Sequence, residues 1–289
     1  MLIDSHCHLD FYDEVQPVLA RAADAGVGMF LAIGIGDGPA TMHRALELAR
    51  AHDGVFASAG IHPQEAHQAT PEALNRLAEL LRDPRCLALG EIGLDYYHLD
   101  NPEIAVQQQA FIAQMRLAAE ARKPILIHCR TSALATPAAK QRYSSADAFA
   151  DVMALIAEHW TPCGLPGVMH CFSGTAVEAA QALAAGFYLS FAGNVTYPRA
   201  IGIQQAARKV PDERILLETD SPFLAPIPLR GTQNEPANIV HTAAFVAALR
   251  ETTPSALAAQ TTANFHTLFP STAGHRRIAV VDGHTGPVI

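Results

Sequence analysis

The sequence predicts an α/β fold: a closed (β/α)₈ barrel of the TIM type with a short C-terminal extension. Three observations lead there. Short runs rich in Val, Ile and Leu alternate with longer amphipathic stretches, the mark of a parallel sheet with crossover helices. Eight such units fit within about 270 residues, which suits a closed barrel better than an open doubly wound sheet. No GxGxxG follows the first strand, so a dinucleotide-binding sheet is disfavoured.

The expected strands are Leu2–Ser5, Val27–Ile33, Val55–Ala59, Cys86–Gly90, Pro124–Ile127, Gly167–Met169, Gly186–Leu189 and Ile215–Leu217. Each is a brief apolar run, short for a helix and flanked by polar or Gly-containing segments. Amphipathic patterns between them predict helices over Glu14–Ala25, Ala40–Ala51, Pro71–Leu81, Glu103–Ala121, Asp147–His159, Val177–Ala184 and Arg199–Lys209. Two more, Glu235–Leu249 and Pro254–Phe265, complete the pattern. No Gly/Ser-rich linker interrupts it, so residues 1–270 read as one domain and 271–289 as the extension.

Composition narrows the function. The 289 residues are 49% hydrophobic and 17% charged, an ordinary globular balance. Asp and Glu number 28 against 20 Lys and Arg, a formal charge of −8. That excludes a protein that coats nucleic acid through a broad basic face, but leaves room for an enzyme that handles phosphate with metal ions and a few arginines. The five cysteines form no CxxC pair, which argues against a disulfide scaffold. With Asp4 and His6 close behind the first methionine, no signal peptide is expected, and no apolar run reaches membrane-spanning length. The expectation is a cytoplasmic protein, monomeric by default, with no membrane partner.

The chemistry-bearing residues cluster just after the predicted strands, the face on which barrels of this type build active sites. The first strand leads into His6-Cys7-His8, whose alternation sends both histidines to one side. The fourth leads into Glu91, the fifth into His128, the sixth into His170 and the eighth into Asp220. Burying so many histidines and acids without a cation would be costly. Six ligands exceed one tetrahedral site and suit two divalent ions. Glu91 is the expected bridge, with His6, His8 and Asp220 on one ion and His128 and His170 on the other. Such a pair can activate a water and stabilise both oxygens of an in-line phosphoryl displacement.

Further along, IDSHCHLD, GIHP, GEIGLDYY, PILIHCR, HCFSG, GNVTY, ETDSPFLAP and RGTQNEP occur in order. In these motifs the chain resembles the TatD-family metal-dependent deoxyribonucleases, within the amidohydrolase-like barrels. The resemblance implies a two-metal site on the residues above, with Mg²⁺, Mn²⁺ or Zn²⁺. It also implies hydrolysis of DNA phosphodiesters, often from the 3′ ends of single strands. Related amidohydrolases commonly carry a carboxylated lysine where this chain has Glu91, which favours the nuclease branch. The partners expected are therefore DNA ends or another small phosphodiester.

Other residues have two readings. Asp220 is the candidate general base. Arg130, two positions past His128, is a candidate clamp for a phosphate oxygen or a member of a rim ion pair. His62 is a phosphate contact or a turn cap. Asn194 and Asp95 are substrate contacts or turn formers. Glu218 orients a ligand histidine or makes a simple ion pair. Arg230, Asn234 and Glu235 read as structural. Alternation predicts that Cys7, Cys129 and Cys171 pack outward into the helix layer rather than bind metal.

The chain departs from the family pattern twice. Ser132–Ser145 reads as an insertion over the site with two readings: a floppy surface loop, or a shaper of substrate access with Lys140 and Arg142 steering phosphate and Tyr143 available to stack on a base. In the tail, Asp282-Gly283 reads as a hairpin turn. Two other functions share these residues. One is hydrolysis of an amide, lactone or carboxylic ester at the same binuclear site, and the other is non-catalytic metal binding.

Overall fold

In the computed structural model the apolar runs form one eight-stranded parallel sheet, paired in chain order. The structure describes residues 1–131, 136–143 and 146–275. The strands are β1 (Leu2–Cys7), β2 (Val27–Ala32), β3 (Val55–Ala59) and β4 (Cys86–Asp95). They continue with β5 (Ile125–Arg130), β6 (Gly167–Met169), β7 (Phe187–Phe191) and β8 (Ile215–Leu217). The barrel closes beyond the end of β8, where Cys7 bridges to Ser221 in parallel. His8 N donates to Ser221 O at 2.8 Å, and Asp220 N donates to His6 O at 2.9 Å. The closing seam therefore runs through three of the predicted ligands.

Among the described residues, ten α-helices surround the sheet. The first five are α1 (Val15–Asp24), α2 (Arg44–Ala51), α3 (Pro71–Leu80), α4 (Ile104–Ala121) and α5 (Pro137–Tyr143). The others are α6 (Ala148–His159), α7 (Ala176–Ala184), α8 (Ile201–Lys209), α9 (Ile239–Leu249) and α10 (Pro254–Leu268). Local chemistry sets their starts. Thr70 and Thr253 cap α3 and α10 by accepting from the N–H groups of Ala73 and Ala256, each with proline in the first turn. Thr175 and Glu178 form a reciprocal capping box at α7.

Apolar side chains divide into two layers. Ile3, Leu31, Phe56, Leu126, Val168 and Leu216 fill the lumen, and Phe265, Leu268 and Phe269 plug its lower end. A larger cluster lies between barrel and helices. With the lower lumen filled, polar residues are left to the upper rim. No helix among the described residues is long and apolar enough to cross a membrane.

Two differences from the sequence reading matter. First, β4 does not stop at Gly90 but runs to Asp95, carrying Glu91 and Asp95 on one strand. Gly93 makes this possible. Its φ is +141°, and a Cβ there would sit 2.0 Å from the His128 carbonyl oxygen, so only glycine lets β4 press this closely against β5.

Second, Tyr143 is not available to a base. It lies in α5 with 1% exposure, its ring stacks on Tyr96 at 5.9 Å, and its hydroxyl donates to the His98 carbonyl. Its aromatic surface is claimed by the core, which overrides the idea of a free stacking residue. Arg142 is likewise engaged, donating to the Asn101 carbonyl. The proposed Asp282-Gly283 turn lies outside the described residues.

Candidate metal centre

A register shift in β1 aims the histidines. Between Asp4 and Cys7 β1 advances three residues while β2 advances two, from Phe30 to Ala32. That extra residue is a β-bulge, and it reverses the side-chain parity. Ile3 faces the lumen below it, and His6 and His8 face the lumen above it, while Cys7 packs outward with its thiol toward the Leu31 carbonyl at 3.7 Å. Strict alternation from Ile3 would have put Cys7 inside and both histidines out.

All six predicted ligands converge on one spot, with Glu91 at its middle and 3% exposed. Its two oxygens face different neighbours. Oε2 lies 3.4 Å from His6 Nε2 and 3.9 Å from His8 Nε2. Oε1 lies 2.7 Å from both His128 Nδ1 and His170 Nε2, and 3.5 Å from His62 Nε2. Asp220 Oδ1 is 3.4 Å from His8 Nε2 and 3.6 Å from His6 Nε2. Three triads have ligand atoms mutually within 4.8 Å: His6–His8–Asp220, His6–Glu91–His170 and His62–Glu91–His128.

The arrangement departs from the expected pairing in detail. His170 does not stand apart with His128. It stacks flat on His6 at 3.9 Å and so belongs to both sides of the centre. His62, read from sequence as a phosphate contact or a cap, faces Glu91 while its Nδ1 accepts from Gln64 N–H, and its ring meets His128 edge-on at 4.4 Å.

The donor set fits divalent cations. Imidazole nitrogens and carboxylate oxygens are the ligands Zn²⁺ accepts, with Mn²⁺ and Mg²⁺ favoured as oxygen donors increase. His6 Nε2 is buried with no hydrogen-bond partner, although it points at two carboxylates. Such an atom is costly unless something binds it.

Electrostatics separate the groups. Burial would raise the Glu91 carboxyl, yet His170 and His62, with hydrogen bonds from His128 and His170, hold it well below the usual range. Asp220 is lowered against burial by its bond to His8 and by His170 and His6. Burial lowers His6, aided by His170, and lowers His62, aided by His128. His128 rises against burial to about 9 through hydrogen bonds to Asp95 and Glu91. Both carboxylates of the centre are therefore ionised at neutral pH.

A supporting shell surrounds these residues. Asp95 Oδ2 sits 3.2 Å from His128 Nε2, while its Oδ1 accepts from the N–H groups of Tyr97 and His98. Of the two readings of Asp95, substrate contact or turn former, the structure shows the turn former, and its other oxygen backs His128. Glu218 is fully buried, accepts from Cys171 N–H at 2.6 Å and lies 3.4 Å from His170 Nδ1. Asp4 was missed. It is fully buried, with Oδ1 accepting from Thr219 N–H at 3.0 Å and His6 N–H at 3.3 Å, and Oδ2 facing the Thr219 hydroxyl at 2.5 Å. Burial pushes its carboxyl up to about 8. A charge-type residue within an apolar strand was the signal available.

Asp220 has φ +53° and Cys171 φ +43°, conformations that cost a non-glycine residue about a kcal/mol or more and concentrate at working sites. Cys171 also corrects the expectation for the cysteines. It follows β6 on a turn, so strand alternation does not govern it. It lines the central cleft and receives a bond from Asn194 Nδ2 at 3.6 Å. Asn194 Oδ1 is buried without a partner.

A cleft of about 810 Å³ opens over the centre. Phe11 and Phe223, 38% and 50% exposed, flank His8 on one side. On the other, the Arg130 guanidinium lies 3.7 Å over the Tyr97 ring, with Nη1 3.4 Å from His98 Nε2. Arg130 has no carboxylate partner among the described residues.

A family model described as TatD related DNase matches residues 3–270. The uncharacterized metal-dependent hydrolase YcfH of Escherichia coli K12 is 40% identical over 276 residues, covering 93% of this chain and 95% of its own. A protein of Shigella flexneri named 3′-5′ ssDNA/RNA exonuclease TatD is 35% identical over 266 residues, covering 90% and 94%. Among solved structures, the E. coli K12 TatD homolog YJJV superposes with a TM-score of 0.81 at 28% identity, covering 93% of this chain and 98% of that one.

Proposed function

The chain belongs to the TatD-related DNase family, and from that premise we propose that it is a two-metal phosphodiesterase that shortens single-stranded DNA from its 3′ end. The observation that carries this reading is Glu91, whose two oxygens face separate histidine sets as a bridging carboxylate must. His6, His8 and Asp220 would hold one ion, and His128 and His170 the other. Mg²⁺, Mn²⁺ or Zn²⁺ would lower the pKa of a water and neutralise charge on the phosphate.

The chain's own groups do the rest. Asp220, kept ionised beside His8, accepts the proton of the attacking water. Arg130 reaches the cleft from the end of β5 and donates to a non-bridging phosphate oxygen. Asn194 offers its unpaired carbonyl oxygen to a hydroxyl or amino group of the substrate, and His62 donates to phosphate from beneath. In this reading residues 1–270 are the catalytic domain. The five unpaired cysteines suit a reducing compartment, here the cytoplasm.

The test is direct. Metal-stripped protein is given a 5′-labelled single-stranded oligodeoxynucleotide with Mg²⁺, Mn²⁺ or Zn²⁺ in turn, beside the Glu91→Ala variant. A metal-dependent ladder of shortened 5′-labelled products, absent in the variant, is expected. Protein shown to hold two ions yet inert on DNA would instead indicate amide, lactone or carboxylic ester hydrolysis.

A further inference from the structure

A second cavity, of about 460 Å³, opens beside the centre between the tops of β5 and β6 and the starts of α7 and α8. It shares His170 and Arg130 with the central cleft, so it communicates with the metal-binding residues. Its floor is apolar: Phe149, Met169, Phe172 and Ile203. Two arginines face it, Arg130 from β5 and Arg199 from the turn before α8, and neither has a carboxylate partner among the described residues. Glu178, the acid on the same wall, is held in the α7 capping box by the Thr175 N–H.

In a chain of net charge −8, two guanidiniums on one pocket, neither with a carboxylate partner among the described residues, are a site for an anion. An apolar floor beside them adds room for a flat, weakly polar group. The volume is that of a pocket for one small-molecule unit. Anion and planar ring together describe a nucleotide.

Resting on the nuclease reading above, we propose that this side cavity binds the nucleotide adjoining the scissile phosphate, its base on the Phe172–Met169 floor and its phosphate on Arg130 and Arg199. A guanidinium already stacked on Tyr97 presents its other face to such a base. The site thereby requires a strand with a second nucleotide rather than a lone phosphodiester.

Gly202 provides the test. It lines the cavity from α8, and a Cβ there meets nothing nearer than Gly174 O at 3.6 Å and Thr175 Cα at 3.9 Å. Gly202→Leu therefore fills the pocket without a backbone clash and with better helix propensity. Arg199→Ala, at an exposed position, removes one cation without touching the core. Two readouts are compared: steady-state hydrolysis of a short single-stranded oligodeoxynucleotide and of bis(4-nitrophenyl) phosphate, and anisotropy of the labelled oligonucleotide bound in EDTA. Gly202→Leu is expected to raise the oligonucleotide KM and Kd about tenfold, the loss of one stacked base, and to leave turnover of the small diester unchanged. Arg199→Ala is expected to weaken oligonucleotide binding in the same assay. Unchanged KM and Kd in both variants, with wild-type turnover intact, would overturn the pocket and leave the nuclease reading standing. Weakened binding in both variants by a wild type that binds DNA without cleaving it would uphold the pocket and overturn the nuclease reading.

Discussion

At the scale of single residues, the groups behind the centre matter as much as those within it. Asp95 holds His128 by Nε2 so that Nδ1 is left for Glu91. Partners of this kind fix the tautomer and orientation of a ligating imidazole, and their loss costs about 10- to 100-fold in metal affinity or activity. Asp95→Asn is thus expected to lower metal-dependent turnover by that factor while the far-ultraviolet circular dichroism stays native. Full activity at low metal concentration would show that His128 needs no such support. Asp4 makes a complementary case, because it ties Thr219 and His6 together from behind. Asp4→Ala strands a buried amide and a hydroxyl, each worth about 1–3 kcal/mol. Asp4→Asn keeps an acceptor for the Thr219 and His6 amides and loses only the acceptor of the Thr219 hydroxyl. Thermal unfolding should therefore rank alanine well below asparagine, and equal losses would refute the hydrogen-bond account. Residue types at strand ends were enough to bring His6, His8, Glu91, His128, His170 and Asp220 onto one rim. Asp4 leaves no spacing of its own, and the hold of Asp95 on His128 emerges only when β4 and β5 are paired.

At the scale of elements, β3, β6 and β8 match the expected bounds residue for residue, because a short apolar run between polar flanks has few alternatives. β1 and β4 run past their expected ends, and both carry a register shift near the centre. A bulge is a property of two strands together, so one strand's periodicity cannot disclose it. Gly90 and Gly93 of β4 are points of close approach to β5. The insertion after β5 teaches the same lesson. Through Tyr143 and Arg142, α5 is tied to the carbonyls of His98 and Asn101, in the loop that carries Tyr97 and His98 to the cleft. It acts as a brace for that wall. Tyr143→Ala removes a buried aromatic ring and a hydrogen bond to the loop, so amide hydrogen exchange over residues 96–103 should accelerate with protection elsewhere preserved. Unchanged protection in that loop would show that α5 does not brace it.

At the scale of the whole molecule, charge decides how the substrate is met. The chain is acidic overall, yet its cleft and the cavity beside it present two arginines without carboxylate partners among the described residues. An enzyme built this way does not grip a long stretch of backbone. Under the proposed function it would read a strand end through two phosphate contacts and leave catalysis to the centre. Counterion release gives about 0.7 of a logarithmic unit per phosphate contact on single strands, so log(kcat/KM) for an oligonucleotide should fall against log[salt] with a slope near −1.4. Arg199→Ala should make that slope shallower by about half, because one of the two contacts is gone. The measurement is a salt series at fixed metal concentration on oligonucleotides of two lengths. A small footprint makes the slope independent of length, whereas a slope beyond about −4, steepening with length, would reveal an extended basic track that the acidic surface does not provide.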